Sequence, residues 1–144
     1  MNDKNTAEQI YTIREIAQKF HMQPSTLRYY EDIGLLTHVE RNASGKRIYK
    51  DMHIHRLSTI CCFKNAGMSI TQLQQFFRCE ENEDAHIDEI VALLKAQKLH
   101  VTQEIAQLQK DLAHVQRKLD YYTAVRKSIQ DDLPRPDWAD YRCR

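Results

Sequence analysis

The residues best suited to chemistry in this sequence are basic and aromatic side chains in two short segments. The first, residues 24–32, contains Thr26, Arg28, Tyr29 and Tyr30. An arginine can donate two hydrogen bonds to a guanine edge or bind a phosphate, and a tyrosine offers phosphate a hydroxyl. These residue types predict contact with a nucleic acid.

The second segment predicts contacts to the nucleic-acid backbone, which position a protein without reading sequence. It contains Arg41, Lys46, Arg47 and Tyr49. Residues 12–67 carry nine Lys or Arg against five acids, whereas residues 80–95 carry six acids and one base. A basic first half and an acidic connector suit a polyanion bound at one end of the molecule.

The four cysteines do not predict a catalytic or metal site. Cys61, Cys62, Cys79 and Cys143 form no CxxC pair and no His/Cys box, so we expect free thiols in a reducing compartment. Nucleophilic catalysis needs a base against the thiol and an oxyanion site, and no motif marks either. The sequence therefore predicts a protein that is not an enzyme and that has no cofactor and no metal site.

Two short helices must position the first segment. Thr12 and Glu15 form a capping box for a helix over residues 13–20, and Pro24 suits the first position of a helix that stops before Gly34. Two helices joined by a tight turn predict a helix-turn-helix. Strands over residues 35–40 and 47–49, joined by a turn at 42–45, predict a β-hairpin wing.

Helices continue after the wing. Asp51 can begin a helix that runs to Ala66 and is closed by Gly67, and Ser69 can cap a helix over residues 70–78. Only three Gly and three Pro occur, so helices should dominate. The predicted fold is mainly α, a winged helix-turn-helix followed by a long dimerisation helix.

That long helix is predicted by an apolar repeat. Thirteen positions from 87 to 129 alternate in steps of four and three, and eleven are apolar, which predicts a coiled coil. Lys98 and Arg126 interrupt the seam. A single helix with an exposed seam needs a partner, so we expect a homodimer. The expected dimer contacts are Val91, Leu94, Val101, Ile105, Leu108, Leu112, Val115, Leu119 and Tyr122.

The predicted organisation has four parts. They are an N-terminal extension (1–10), a DNA-binding domain (11–79), a dimerisation helix with its connector (80–130) and a tail (131–144) in which Trp138 and Tyr141 can dock onto the body. No apolar run is long enough to span a membrane, and the N-terminus lacks the apolar stretch of a signal peptide. We therefore expect a cytoplasmic protein without a membrane partner.

Several motifs resemble the MerR family of bacterial transcription regulators. They are YTIREIA at 11–17, TLRYYE at 26–31, GLL at 34–36, the R-x-Y wing at 47–49 and NAGMSI at 65–70. The resemblance covers about residues 10–78; Gln23 departs from the usual Ser or Thr cap. The resemblance adds Lys64, just before the turn at Gly67. This residue matches a family position that touches phosphate in a second wing.

The resemblance implies a mechanism as well as a fold. It implies an antiparallel coiled-coil dimer on a near-palindromic operator in double-stranded promoter DNA. The activated dimer bends and untwists an overlong promoter spacer, and so acts on RNA polymerase indirectly, through the promoter.

Three effector hypotheses remain open. Residues 60–67 resemble the branch that responds to aldehydes and other electrophiles or thiol stress, with Cys62 as the sensing residue. On the helix, Cys61 shares the apolar face and Cys62 a more polar one. The alternatives are a metal-responsive regulator, for which thiol ligands are too few, and an architectural coiled-coil DNA binder without an inducer.

Overall fold

The computed structural model describes residues 8–142, which divide into two compact units, residues up to 97 and residues from 98 onward. The elements are β1 (Ile10–Tyr11), α1 (Ile13–Lys19), α2 (Pro24–Asp32), β2 (Glu40–Arg41), β3 (Arg47–Lys50), α3 (Asp51–Asn65), α4 (Ile70–Glu80), α5 (Glu83–Gln130) and a 3-10 helix (Trp138–Tyr141). Helix α5 passes from the first unit into the second. Cys143, expected to be a free thiol, lies outside the described residues, as do residues 1–7.

The capping signals in the sequence set the start of α1. The Glu15 amide donates to the Thr12 hydroxyl over 3.2 Å, and the Thr12 amide donates to the Glu15 carboxylate over 2.7 Å. This is the predicted capping box, which satisfies two amides that the helix itself leaves free. Helix α1 ends at Lys19, with Phe20 as its C-cap.

Helix α2 begins at Pro24 and ends before a glycine turn. Gln23 makes no side-chain cap hydrogen bond, so proline's fixed φ is the main local signal for the helix start. Gly34 has a φ of 78°, a left-handed conformation that glycine adopts without a Cβ clash. The turn lets the chain reverse and bury Leu35 and Leu36 beneath α2.

The wing differs from the prediction in two respects. Residues 35–39 are not a strand: the amides of Leu35 and Leu36 both donate to the Tyr30 carbonyl, and the partner strand is only Glu40–Arg41. The sheet also has a third strand, with antiparallel order β1-β3-β2 and the register Tyr11↔Tyr49. A two-residue strand such as β1 has too few residues to show period-two alternation.

Helices α3 and α4 complete the first unit. Helix α3 ends at Asn65, one residue earlier than predicted, and α4 continues to Glu80, beyond the predicted end at Arg78. Ser69 caps α4 as predicted, because its hydroxyl accepts from the Gln72 amide over 3.2 Å. Fully buried residues from α1 to α4, β3 and the turn after α2 form one apolar core: Ile16, Leu27, Leu35, Tyr49, Leu57, Ile60 and Leu73.

The second unit contains the rest of α5 and the tail. The ring of Tyr121 meets Trp138 edge-on at 5.3 Å and Tyr141 at 5.5 Å between centroids, and the Lys118 ammonium lies 3.8 Å from the centre of the Trp138 ring. These contacts confirm that the two aromatic residues dock the tail, here onto α5. Aromatic edge-to-face pairs and a cation over an indole ring each contribute about 0.5–1.5 kcal/mol.

Candidate nucleic-acid interface

Helix α2 presents one face to solvent and buries the other. Leu27 and Tyr30 are buried, Thr26 is half-buried, and Arg28 and Tyr29 are exposed. The two buried residues lie three positions apart on one helical face, which leaves the intervening side chains pointing outward. An exposed arginine and tyrosine on the second helix of a helix-turn-helix suit contact with DNA.

Tyr30 and Lys64 form a pair between α2 and α3. The Tyr30 ring is 4% exposed, and its hydroxyl accepts from the Lys64 ammonium over 3.3 Å. The ring therefore belongs to the core, and the predicted DNA contact at this position is restricted to the hydroxyl. The bond ties α2 to the end of α3.

The wing turn is held by its own side chains. The Asn42 carboxamide oxygen accepts from the amides of Ser44 and Lys46, over 3.1 Å and 2.9 Å. The Arg41 guanidinium donates to the Gly45 carbonyl over 2.9 Å. Lys46 and Arg41 stay exposed, so this turn presents two cations from a locally ordered backbone.

Arg47 is paired instead of free. Its Nε donates to the Glu31 carboxylate over 2.6 Å, and this hydrogen bond raises the Arg47 pKa above its usual value. The pair joins β3 to α2. One guanidinium N–H is committed to Glu31, and the others are available to a phosphate.

The predicted DNA contact of Tyr49 does not fit the structure. This residue was expected to contact DNA, but its side chain is fully buried and packs edge-on against His53, with 5.7 Å between ring centroids. Its hydroxyl has no hydrogen-bond partner among the described residues, and burial raises the pKa of this phenol. The ring therefore supports the wing from inside the core and does not reach the surface.

A basic groove lies between the wing, β1 and the first two helices. It has a volume of about 750 Å³, and its described lining contains no acidic residue. Its cationic lining residues are Arg14, Arg28, Arg41, Lys46 and Arg47. The place of Arg14 in this groove was not predicted from the sequence, because Arg14 belongs to α1 and the wing residues that share the groove are far away in the chain. A groove lined by five cations attracts a polyanion.

The cysteines have three different environments. Cys62 is exposed, Cys61 is half-buried and Cys79 is buried. Burial raises the pKa of the Cys61 thiol, which makes the reactive thiolate scarcer at that position. Cys62 is thus the more accessible of the two adjacent thiols, as the helix faces predicted.

One group among the described residues has the donor types of a metal site. It consists of Cys79, His86 and Glu89, where α4 is followed by α5. No metal site was expected here, because the four cysteines form no CxxC pair and no His/Cys box in the sequence. The spacing of the three residues could have indicated the group: His86 follows Cys79 by seven residues, and Glu89 follows His86 by three.

The apolar seam of α5 is exposed in the isolated chain. Leu108 is 65% exposed, Leu112 66% and Val115 61%. Val91, Leu94, Ile105, Leu119 and Tyr122 are exposed as well, and Val101 is half-buried. Residues 8–142 contain no helix that could serve as a membrane span.

Comparisons with known proteins agree with this geometry. Residues 11–79 match the family model for MerR HTH family regulatory proteins, and residues 54–118 match the model "MerR, DNA binding". An uncharacterized HTH-type transcriptional regulator of Haemophilus influenzae is 35% identical over 112 residues, covering 78% of this chain and 83% of its own. The regulator AdhR of Bacillus subtilis is 41% identical over 64 residues, 44% of this chain and 46% of its own.

Solved structures share the fold. HiNmlR, a MerR family regulator lacking the sensor domain and bound to promoter DNA, superposes with a TM-score of 0.78 at 31% identity, covering 90% of this chain and 100% of that one. These relatives are transcription regulators rather than enzymes. The fold, the basic groove and the matches together place this chain in the MerR family of DNA-binding transcription regulators.

Proposed function

We propose that this chain acts as a homodimer that binds a near-palindromic promoter operator and changes transcription by distorting the promoter spacer. The observation that carries the proposal is the basic groove beside the exposed face of α2. Arg28 lies on that face and also lines the groove, so one element offers both a base-reading side chain and a backbone-binding surface. The structure of HiNmlR on promoter DNA supports the same use of this fold.

The DNA contacts are tested by replacing Arg28 with alanine. Loss of a bidentate base contact or a phosphate contact should weaken operator binding by about 5- to 150-fold. Arg117→Ala is the matched control, since Arg117 does not line the groove and is not one of the seam positions of α5, and its binding should equal that of the parent. Equal binding by Arg28→Ala and the parent, measured by fluorescence anisotropy on the promoter fragment, would refute the assignment.

Two heads on one operator require dimerisation through the α5 seam, which we propose to be an antiparallel coiled coil. Burying one exposed leucine against a partner contributes about 1.5–3 kcal/mol, so the repeated seam residues supply a strong driving force. Leu112→Asp should produce a monomer by light scattering and abolish operator binding. Ala113→Asp introduces the same charge one residue away on the outer face and should stay dimeric. A dimeric Leu112→Asp protein would contradict the proposed seam.

The effect on transcription follows from DNA shape. Bending and untwisting a spacer changes the register of the two promoter elements that RNA polymerase reads, so the protein need not touch the polymerase. In vitro transcription from the promoter beside the protein's own gene tests this step. A promoter with the spacer shortened to the ordinary length should no longer respond to the protein.

We propose Cys62 as the sensing residue for electrophiles such as aldehydes. It is exposed and lies in the last turn of α3, where Lys64 bonds to Tyr30 of α2. A thiolate at Cys62 adds to the carbonyl carbon of an aldehyde, and the carbonyl oxygen takes up a proton from solvent; with diamide, the thiolate adds to one nitrogen of the N=N bond and the other nitrogen takes the proton. Either adduct crowds a turn that is linked to α2 through the Lys64–Tyr30 hydrogen bond.

Cys62→Ser should keep operator binding and lose the transcriptional response to an aldehyde or diamide. Cys61→Ser is the matched control and should respond as the parent does. If Cys62→Ser still responds to the aldehyde, the thiol hypothesis fails. A parent protein that responds only to metal ions, or to none of these agents, would instead support the metal-responsive or the architectural alternative.

A further inference from the structure

We propose that Gln97 is a positioning residue that fixes the first turns of α5 on the head of its subunit (residues 10–80), and that it thereby sets the separation of operator half-sites that the dimer accepts. The Gln97 carboxamide donates a hydrogen bond to the Ala66 carbonyl, across 31 residues of the chain. Ala66 is the C-cap of α3, so this bond joins the dimerisation helix to the end of a helix of the head. Since the role concerns a dimer on an operator, it rests on the proposed function.

The first turns of α5 have two different faces. Ile90 is buried in the apolar core of the head, Leu93 packs against that core, and Gln97 is half-buried. These residues follow one another by three and four positions, so they share one face of the helix. The seam residues Ile87 and Val91 are exposed on another face. The same turns can therefore hold the head and a partner helix together.

Gln97 binds a carbonyl at the turn that ends α3. Gly67 has a φ of 89°, and its amide turns back to the Lys64 carbonyl over 3.0 Å. A glycine C-cap of this kind satisfies some of the last carbonyls of a helix. The Ala66 carbonyl accepts from the Gln97 side chain instead. The donor of α5 is thus matched to a backbone group whose position is set by the cap.

The end of α3 also contacts the helix that carries Arg28. The Lys64 ammonium donates to the hydroxyl of Tyr30 in α2 over 3.3 Å. Residues 64–66 therefore bond to α2 through Lys64 and to α5 through Ala66. A shift of α5 at Gln97 would reach α2 through less than one turn of backbone.

The hydrogen bond restrains α5 in a way that the apolar contacts do not. Apolar burial is non-directional, whereas a hydrogen bond weakens steeply when its angle or distance changes. Without the donor, Ile90 and Leu93 would still hold α5 against the core but would restrict its rotation and sliding less. In a dimer joined through the seam, loosely held heads fit several half-site separations, whereas fixed heads discriminate among them. Gln97 should therefore affect the choice of operator more than the affinity for it.

The test compares the operator of the protein's own promoter with the same operator carrying one extra base pair at its centre. The insertion moves the half-sites apart by about 3.4 Å and rotates them by roughly a tenth of a turn. Fluorescence anisotropy with the full-length protein gives a Kd for each fragment, and the ratio of the two values measures discrimination. Gln97→Leu should lower this ratio about 2- to 10-fold, as the loss of one hydrogen bond implies. Its affinity for the unaltered operator should stay within about threefold of that of the parent.

Further variants separate the donor from the shape of the side chain. Gln97→Met keeps the length of the side chain without the donor, so it should behave as Gln97→Leu does. Gln97→Lys keeps a donor for the Ala66 carbonyl, since lysine often bonds to the last carbonyls of a helix, and it should retain the ratio of the parent. Gln103→Leu is the matched control, an exposed glutamine of α5 outside the seam positions, and it should equal the parent.

The outcomes distinguish this role from the proposed function. If the parent discriminates and both Gln97→Leu and Gln97→Met keep its ratio, or if the parent binds both fragments equally, the positioning role is wrong and operator binding stands. Loss of the ratio in Gln97→Lys as well would exclude the donor as its cause. If Gln97→Leu and Gln97→Met are monomeric by light scattering or unfolded by circular dichroism, Gln97 supports folding and not the choice of operator. A parent that binds neither fragment would refute the proposed function itself.

Discussion

His53 is the side chain whose loss should damage the wing most. It is 1% exposed, its Nδ1 accepts from the Lys50 amide over 2.9 Å, and its Nε2 pairs with the Thr37 carbonyl over 2.9 Å. An accepting Nδ1 assigns the proton to Nε2, so the neutral ring bridges the start of α3 and the chain before β2. The ring also packs against Tyr49.

The expected cost follows from the two bonds. In His53→Ala the Lys50 amide and the Thr37 carbonyl both lose a partner, at about 1–3 kcal/mol for each buried group, and a cavity adds to this. Because solvent can reach part of this region, we expect a destabilisation of about 2–4 kcal/mol. His53→Asn should recover roughly half, since its carboxamide oxygen can accept from Lys50.

Urea denaturation followed by circular dichroism measures the difference, at one fixed protein concentration because subunit association contributes to stability. His55→Ala is the control, an exposed histidine two residues further along α3, and it should lie within about 0.5 kcal/mol of the parent. If His53→Ala unfolds at the same urea concentration as His55→Ala, the bridging role assigned to His53 is wrong.

Three further predictions concern the groove and its supports. Tyr49→Phe removes a buried hydroxyl that has no hydrogen-bond partner within residues 8–142, so it should leave operator affinity unchanged and stability equal or higher by about 1 kcal/mol; weaker operator binding would show that the hydroxyl is used on DNA. Glu31→Gln should lower stability by about 1 kcal/mol through the loss of its charge on Arg47, yet not weaken DNA binding, since a negative charge beside the groove is removed. The Glu15 pKa is lowered mainly by the hydrogen bond from the Thr12 amide. A lowered pKa means that stability is present above the unfolded pKa of about 4.3 and is lost as pH falls through the folded value. Glu15→Gln should therefore be less stable than the parent at neutral pH and show no such acid-dependent loss, as followed by urea midpoints across that range.

Features that depend on residues close together in the chain could be predicted from the sequence. A few adjacent or periodic residues predict each of these features: the capping box at Thr12, proline at the start of α2, the turn at Gly34 and the apolar repeat of α5. Local hydrogen bonds and helical periodicity act over one or two turns, so a linear pattern suffices to predict them. The order of helices and wing followed from the same signals.

The contacts of the functional side chains could be learned only from the folded structure. It buried Tyr49, paired Arg47 with Glu31 and brought Arg14 to the groove. These outcomes depend on contacts between residues far apart in the chain. The neighbouring sequence of a tyrosine does not show whether its side chain binds phosphate or fills a core. The grouping of Cys79, His86 and Glu89 arose in the same way, since these residues come from two helices whose packing sets their separation.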